Sequence, residues 1–223
     1  MWAAPGRSFV LSLLGILAAL ALAGCSAGAD ASYDDSSSTV YQGTKLEGPA
    51  ADFQLVDQQG AEVALPNFRG KVVVLAFLDP QCTDVCPLTA NEFRLTAEAL
   101  GNDAAQVAFL VVNVNPAANS VAQVSVATVR WGVQDLQGWH FLTGSREELE
   151  PVYRAYHIEA EGPPKPGKAD ELQHTPGVYI IDQDGNLGWY ISTPLIEEGL
   201  VAPWPGPRLG ETLAGRIREL LPS

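Results

Sequence analysis

The chain is short of the residues that most often announce a chemistry. Its 223 residues hold three cysteines and three histidines. Beyond one cysteine pair there is no Cys-x-x-Cys and no closely spaced His pair, so the four-ligand set of a structural zinc site is lacking. No internal repeat runs through it, which leaves out solenoids and propellers. Basic residues are scarce as well: 13 Lys and Arg stand against 26 Asp and Glu, a formal net charge of −13. So acidic a chain speaks against nucleic-acid binding and against electrostatic adhesion to anionic lipid. It remains compatible with a cation or a basic partner.

What is present begins with a leader. Arg7 is the only charge in the first 24 residues and is followed by an apolar run from Ser8 to Ala23. A basic start, an apolar stretch and small residues before a cut make a secretory signal. The ending Leu22-Ala23-Gly24-Cys25 resembles the lipobox of bacterial lipoproteins, in which the cysteine is lipid-modified and becomes the first residue of the mature chain. The alternative is a plain transmembrane anchor, since about sixteen apolar residues lie near the short limit for spanning. Either reading puts the domain outside the cytoplasmic membrane and tethers it there. Residues 26 to 48 are rich in Ser, Ala, Gly, Asp and Thr and read as a flexible tether. Residues 49–223 are then enough for one domain with a real core.

With Cys25 assigned to the lipid, Cys82 and Cys86 are the only thiol pair. They lie in Asp79-Pro80-Gln81-Cys82-Thr83-Asp84-Val85-Cys86-Pro87, directly after the apolar run 72–78. An apolar run of that length bounded by Pro reads as a buried strand. The pair thus sits where the chain leaves the carboxyl end of a core strand, the usual place for chemistry in an open α/β sheet. Two thiols so close can oxidise to a disulfide, bind a soft metal, or do both. A disulfide across three intervening residues would remove little loop entropy, so a mere staple is disfavoured.

Around this motif the pattern predicts strands at 52–57 and 63–65, a core strand at 71–78 and a helix from Pro87 to Leu100. It continues with a strand at 107–114, a helix at 120–130 and a short strand at 139–142. Ser145 and Glu148 make a capping box for a helix through Tyr156. A hairpin at 177–182 and 187–191, turning at Asp184-Gly185, precedes a Pro- and Gly-rich loop at 194–209 and a closing helix at 211–221. Strands alternating with helices imply an α/β fold with a mixed sheet. A cysteine motif between the first core strand and its helix looks like the thioredoxin fold with an extra N-terminal hairpin. Because residues before proline avoid the α region, the helix is expected to begin at Pro87 and to leave both cysteines on a turn. Unpaired amides at that helix start should favour a Cys86 thiolate.

The three histidines are not equal. His140 lies in a short strand and His157 ends a helix; both read as structural or solvated. His174 follows a polar, Pro-rich stretch and directly precedes the strand at 177–182. In a thioredoxin-like fold the segment entering that strand packs beside the cysteine turn. Two thiolates and one imidazole form a soft, low-coordinate set that suits copper, in either oxidation state, better than calcium or magnesium. Zinc remains open on ligand type alone.

Cys82-Thr83-Asp84-Val85-Cys86-Pro87, with His174-Thr175 following 88 residues after Cys86, resembles the Sco/SenC family of copper-binding proteins. Phe141-Leu142-Thr143-Gly144-Ser145 and the stretch Tyr179-Ile180-Ile181-Asp182-Gln183-Asp184-Gly185 look like that family's later strands. The resemblance implies that Cys82, Cys86 and His174 ligate copper, with Asp84 supporting a ligand from behind. It also implies delivery of copper to, or reduction of the cysteines of, the copper A site in cytochrome c oxidase subunit II or another acceptor. Thr83 departs from the family, where a proline is common. So does Asn115-Pro116, where the family often has Asp-Pro.

This reading is of a metallochaperone more than an enzyme. Its main rival is a membrane-tethered thiol-disulfide oxidoreductase using Cys82 and Cys86 as a redox pair, although thioredoxins space theirs as Cys-x-x-Cys. A peroxiredoxin fits less well, since Pro80 lies one residue too near Cys86 and Cys82 is unexpected. A lipoprotein with an incidental disulfide leaves the position of His174 unexplained.

Overall fold

The computed structural model describes residues 42–158, 177–192 and 208–222. Twelve regular elements of helix and strand run through them: β1 (Thr44–Lys45), β2 (Gln54–Val56), β3 (Glu62–Ala64), β4 (Val72–Leu78), α1 (Val85–Leu100), β5 (Val107–Asn113), α2 (Val121–Arg130), β6 (Trp139–Leu142), α3 (Arg146–Ala155), β7 (Val178–Ile181), β8 (Leu187–Ile191) and α4 (Leu209–Arg218). The central sheet has the order β1-β8-β7-β4-β5-β6, and β2 and β3 form a separate hairpin. β4 pairs in parallel with β5 and antiparallel with β7, so the sheet is mixed, as the alternation of elements predicts.

Every residue of β4 and of β5 is buried. Successive side chains of a strand point to opposite faces, and the apolar content divides accordingly. Val72, Val74 and Ala76 pack on one face with Phe93 of α1, Val124 of α2 and Leu213 of α4. Val73, Leu75 and Phe77 pack on the other with Leu55 of the hairpin and Leu149 and Val152 of α3. Fully burying one such Leu or Phe contributes about 1.5–3 kcal/mol. A strand of seven apolar residues is therefore stable only with layers on both sides, and it carries the cysteine turn at its carboxyl end.

Local signals do much of the remaining work. Ser145 caps α3 by accepting the Glu148 N–H at 3.3 Å while the Glu148 carboxylate accepts the Ser145 N–H at 2.7 Å. Gly101 closes α1 at φ 59°, a conformation that costs glycine little. Thr44 and Lys45 fall inside the stretch read as tether, yet they form a strand of the sheet. β1 pairs with β8, and the Leu46 N–H donates to the Gly188 carbonyl at 2.9 Å. The strand expected at 52–57 shortens to 54–56, and two helices differ more in where they begin. α4 runs from 209 to 218, ahead of the expected 211–221. α1 begins at Val85 and not at Pro87. The pre-proline restriction gives way because Asp84 holds the helix start by accepting the Val85 N–H at 2.6 Å. Pro87, third in the helix, lacks only an N–H that has no intrahelical partner there anyway.

Candidate metal and redox centre

The chain leaves β4 at Leu78, whose carbonyl accepts the Val114 N–H at 3.1 Å and keeps the exits of β4 and β5 side by side. Asp79 then makes a tight turn: its carboxylate accepts the Gln81 N–H at 2.8 Å, and its carbonyl accepts the Cys82 N–H at 3.1 Å. Arg130, at the end of α2, donates to the carbonyls of Pro80 and Cys82, the latter at 3.4 Å. Two cysteines follow in a framework fixed from two sides.

Both thiols are reduced and both are buried, Cys82 at 3 % exposure and Cys86 at 0 %. The Cys86 N–H donates to the Cys82 sulfur at 3.3 Å. The Cys82 thiol donates to the Asp84 carboxylate at 3.2 Å, so Asp84 both caps α1 and orients a sulfur. The cysteines are unequal electrostatically. The hydrogen bond from the Cys86 thiol, aided by the N–H groups of Cys86 and Asp84, holds the Cys82 pKa below the ordinary thiol value against the effect of burial. That same bond, burial and the facing Cys82 charge push the Cys86 thiol well up. The expectation of a Cys86 thiolate is therefore corrected: Cys86 lies within the first turn of α1, fully buried, and its thiol donates to Cys82, whose sulfur also receives two N–H groups where Cys86 receives only that of Asp79.

Sequence reasoning passed over Asp79, Asn115 and Arg130. Asp79 is 1 % exposed and Asn115 2 %. The Asn115 amide donates to both Asp79 oxygens, at 3.1 and 3.2 Å, and to the Gln81 side chain at 3.1 Å. The departure at Asn115-Pro116 is thus an amide facing an acid on the neighbouring strand exit. An acid placed directly after a buried strand was the available signal for Asp79. Nothing local marks Arg130.

His140 is half-buried, with Nδ1 3.1 Å from an Asp57 carboxylate oxygen, and stands against Phe68. His157 is exposed and lies just past the end of α3, at φ 53°. Neither stands in the cysteine turn, in keeping with structural or solvated roles. His174 and Cys25 lie outside the described residues. Among the described residues no group of three His, Cys, Asp or Glu could hold a metal ion, and no helix is long and apolar enough to cross a membrane.

A mixed sheet with helices on both faces and a reduced Cys-x-x-x-Cys turn after its first core strand defines a thioredoxin-like thiol or metal protein. The family model for SCO1/SenC matches residues 42–201, and the chain belongs to that family. It is 30 % identical over 145 residues to the mitochondrial SCO2 homolog of Bos taurus, covering 63 % of this chain and 53 % of that one, so it spans about half that relative's length. It resembles the copper-bound ScoI of Bradyrhizobium japonicum at 25 % identity and a TM-score of 0.60, over 78 % of this chain and 100 % of that one. It also resembles BsSco, a Sco-family cytochrome c oxidase assembly protein with a disulfide switch. There the identity is 23 % and the TM-score 0.54, over 67 % of this chain and 86 % of that one.

Proposed function

We propose that this protein is an extracytoplasmic copper carrier, anchored through a lipid on Cys25, that binds copper with Cys82, Cys86 and His174 and passes it to an acceptor during cytochrome c oxidase assembly. The observation that carries the reading is the pair of reduced thiols joined by the Cys86 N–H to Cys82 sulfur bond, at the carboxyl end of β4, in a chain of this family. Copper is the cargo. Thiolates are its preferred soft ligands, and an imidazole completes a low-coordinate site.

Backbone placement supports His174 as the third ligand. Val178 pairs with Ala76, so Gly177 stands level with the last residues of β4, just before the cysteine turn. His174 lies three steps along the chain from Gly177, a reach of at most about 11 Å. The copper-bound relative gives the cargo a precedent, and the oxidase-assembly relative gives the acceptor one. Subunit II of the oxidase, with its copper A cysteines, is the acceptor we infer.

A second reading is favoured by a specific observation. The unequal acidity of the two thiols suits an attacking Cys82 and a resolving Cys86, as in a thiol-disulfide oxidoreductase that reduces an acceptor's cysteines. Anaerobic titration of the reduced full chain with copper, followed by electronic and electron-spin spectra, separates the two. Copper binding with a thiolate-to-Cu(II) charge-transfer band is expected. Absence of that band, together with rapid reduction of a protein disulfide, would replace the carrier with the reductase.

A further inference from the structure

Beneath the cysteine turn lies a carboxylate that the ligand set does not use. Asp79 is the first residue past β4 and is almost fully buried. Two separate segments converge on it: the Gln81 N–H of the turn itself, and the Asn115 amide from the exit of β5. Asn115 is itself held fast. Its N–H donates to the Asn113 side chain at 2.8 Å, and its own side-chain oxygen accepts the Ala117 N–H at 3.0 Å. Burying a carboxyl group among neutral amides is costly. Strand pairing does not call for it, because the Val114–Leu78 backbone bond already joins the two exits. What the carboxyl does determine is the path of the turn, and the Cys82 N–H hangs from the Asp79 carbonyl.

We propose that Asp79 is a positioning residue for the copper site: clasped by Asn115, it fixes the turn that sets the Cys82 sulfur against the Cys86 N–H. The assignment rests on the reading of Cys82 and Cys86 as copper ligands. The clasp is directional. One side must be an acid and the other an amide, because two carboxylates at 3.1 Å repel and two amides lose the charge-assisted bond. Outer partners that orient ligands typically influence metal affinity about 10- to 100-fold.

The directionality supplies the test. Asp79→Asn, Asn115→Asp and the double exchange are made in the full chain and loaded with copper. Release to a Cu(I) chelator, the Cu(II)-thiolate band, and amide hydrogen exchange at Cys82 and Cys86 in the metal-free protein are measured. Both single variants are expected to take up as much copper as the wild type. They should release it faster, roughly ten-fold for Asn115→Asp and about three-fold for Asp79→Asn, with a shifted band. The double exchange rebuilds an acid–amide pair with its ends reversed and should return both readouts to within about two-fold of wild type.

Wild-type release rates in both single variants, or a double exchange no nearer wild type than Asn115→Asp, would overturn the role of Asp79. If the wild type itself takes no copper, the carrier reading fails, and hydrogen exchange still decides Asp79. Protection at Cys82 and Cys86 should fall in each single variant and return in the double; unchanged protection would dismiss it.

Discussion

Asp57 and Asp79 are each the first residue past a strand, each nearly fully buried, and each holds its turn by accepting the N–H two residues on, at 2.9 and 2.8 Å. Each also reaches across to another element, Asp57 to His140 on β6 and Asp79 to Asn115 beyond β5. The onward path of the chain separates them. After Asp57 it returns as β3 and closes a hairpin, helped by the Ala61 N–H to the same carboxylate at 3.0 Å. After Asp79 it does not return, but runs into the start of α1 with a thiol on either side of the helix cap. One local device thus serves a purely architectural corner in one place and a reactive corner in the other. The difference lies in the position of the turn at the carboxyl end of a central strand and in the residues that come next.

Five measurements break or sharpen that contrast. The largest effect is expected from Cys82→Ala, Cys86→Ala or His174→Ala, each reducing bound copper from about one per chain to none after gel filtration. Asp57→Asn should leave copper content unchanged, and copper loss there would erase the distinction between the two corners. Next, Asp57→Ala should lower stability by about 1–3 kcal/mol in urea unfolding. It strips a buried carboxylate from two backbone N–H groups and an imidazole and leaves the donors unpaired. Arg130→Ala should cost less than about 1 kcal/mol of stability, since the side chain is exposed. It should still speed copper release about three-fold, because the carbonyls of Pro80 and Cys82 lose their donor. A rate equal to wild type would remove Arg130 from the site.

The smallest expected effect is chemical. In metal-free reduced protein, mass-resolved alkylation should mark Cys82 before Cys86 and at lower pH. A lowered thiol pKa means a larger thiolate share at any given pH, and a raised one means a smaller share. The opposite order would show that the asymmetry of the two sulfurs has been assigned the wrong way round.

Much of this was legible in the sequence because the signals are local. The apolar runs at 72–78 and 107–113, the Ser145–Glu148 capping box and the Asp184-Gly185 turn each depend on neighbours within a few residues. The mixed sheet and thioredoxin-like architecture follow from their order. The cysteine motif was visible for the same reason. The helix start was misjudged because a pre-proline preference is a weak bias that one side-chain cap outweighs. The thiol asymmetry was misjudged because it depends first on which thiol donates to the other and then on how deeply each is buried, neither of which a motif states. β1 was read as tether because two residues carry no period; pairing with β8, far along the sequence, makes it a strand. The contacts of Asn115 and Arg130 with the turn span 34 to 50 residues of chain and leave no local trace.

Gln58 has a consequence at the far side of the molecule. Its side chain donates to the Trp139 carbonyl at 3.2 Å and accepts the Phe141 N–H at 2.7 Å, so one amide occupies groups that β6 would otherwise offer to a foreign strand. The opposite margin of the sheet is β1, only two residues long and bearing Lys45. Among the described residues neither margin presents a long row of open amides. Copies crowded side by side are thereby kept from zipping into a continuous cross-β ribbon, an aggregation hazard that open sheets otherwise carry.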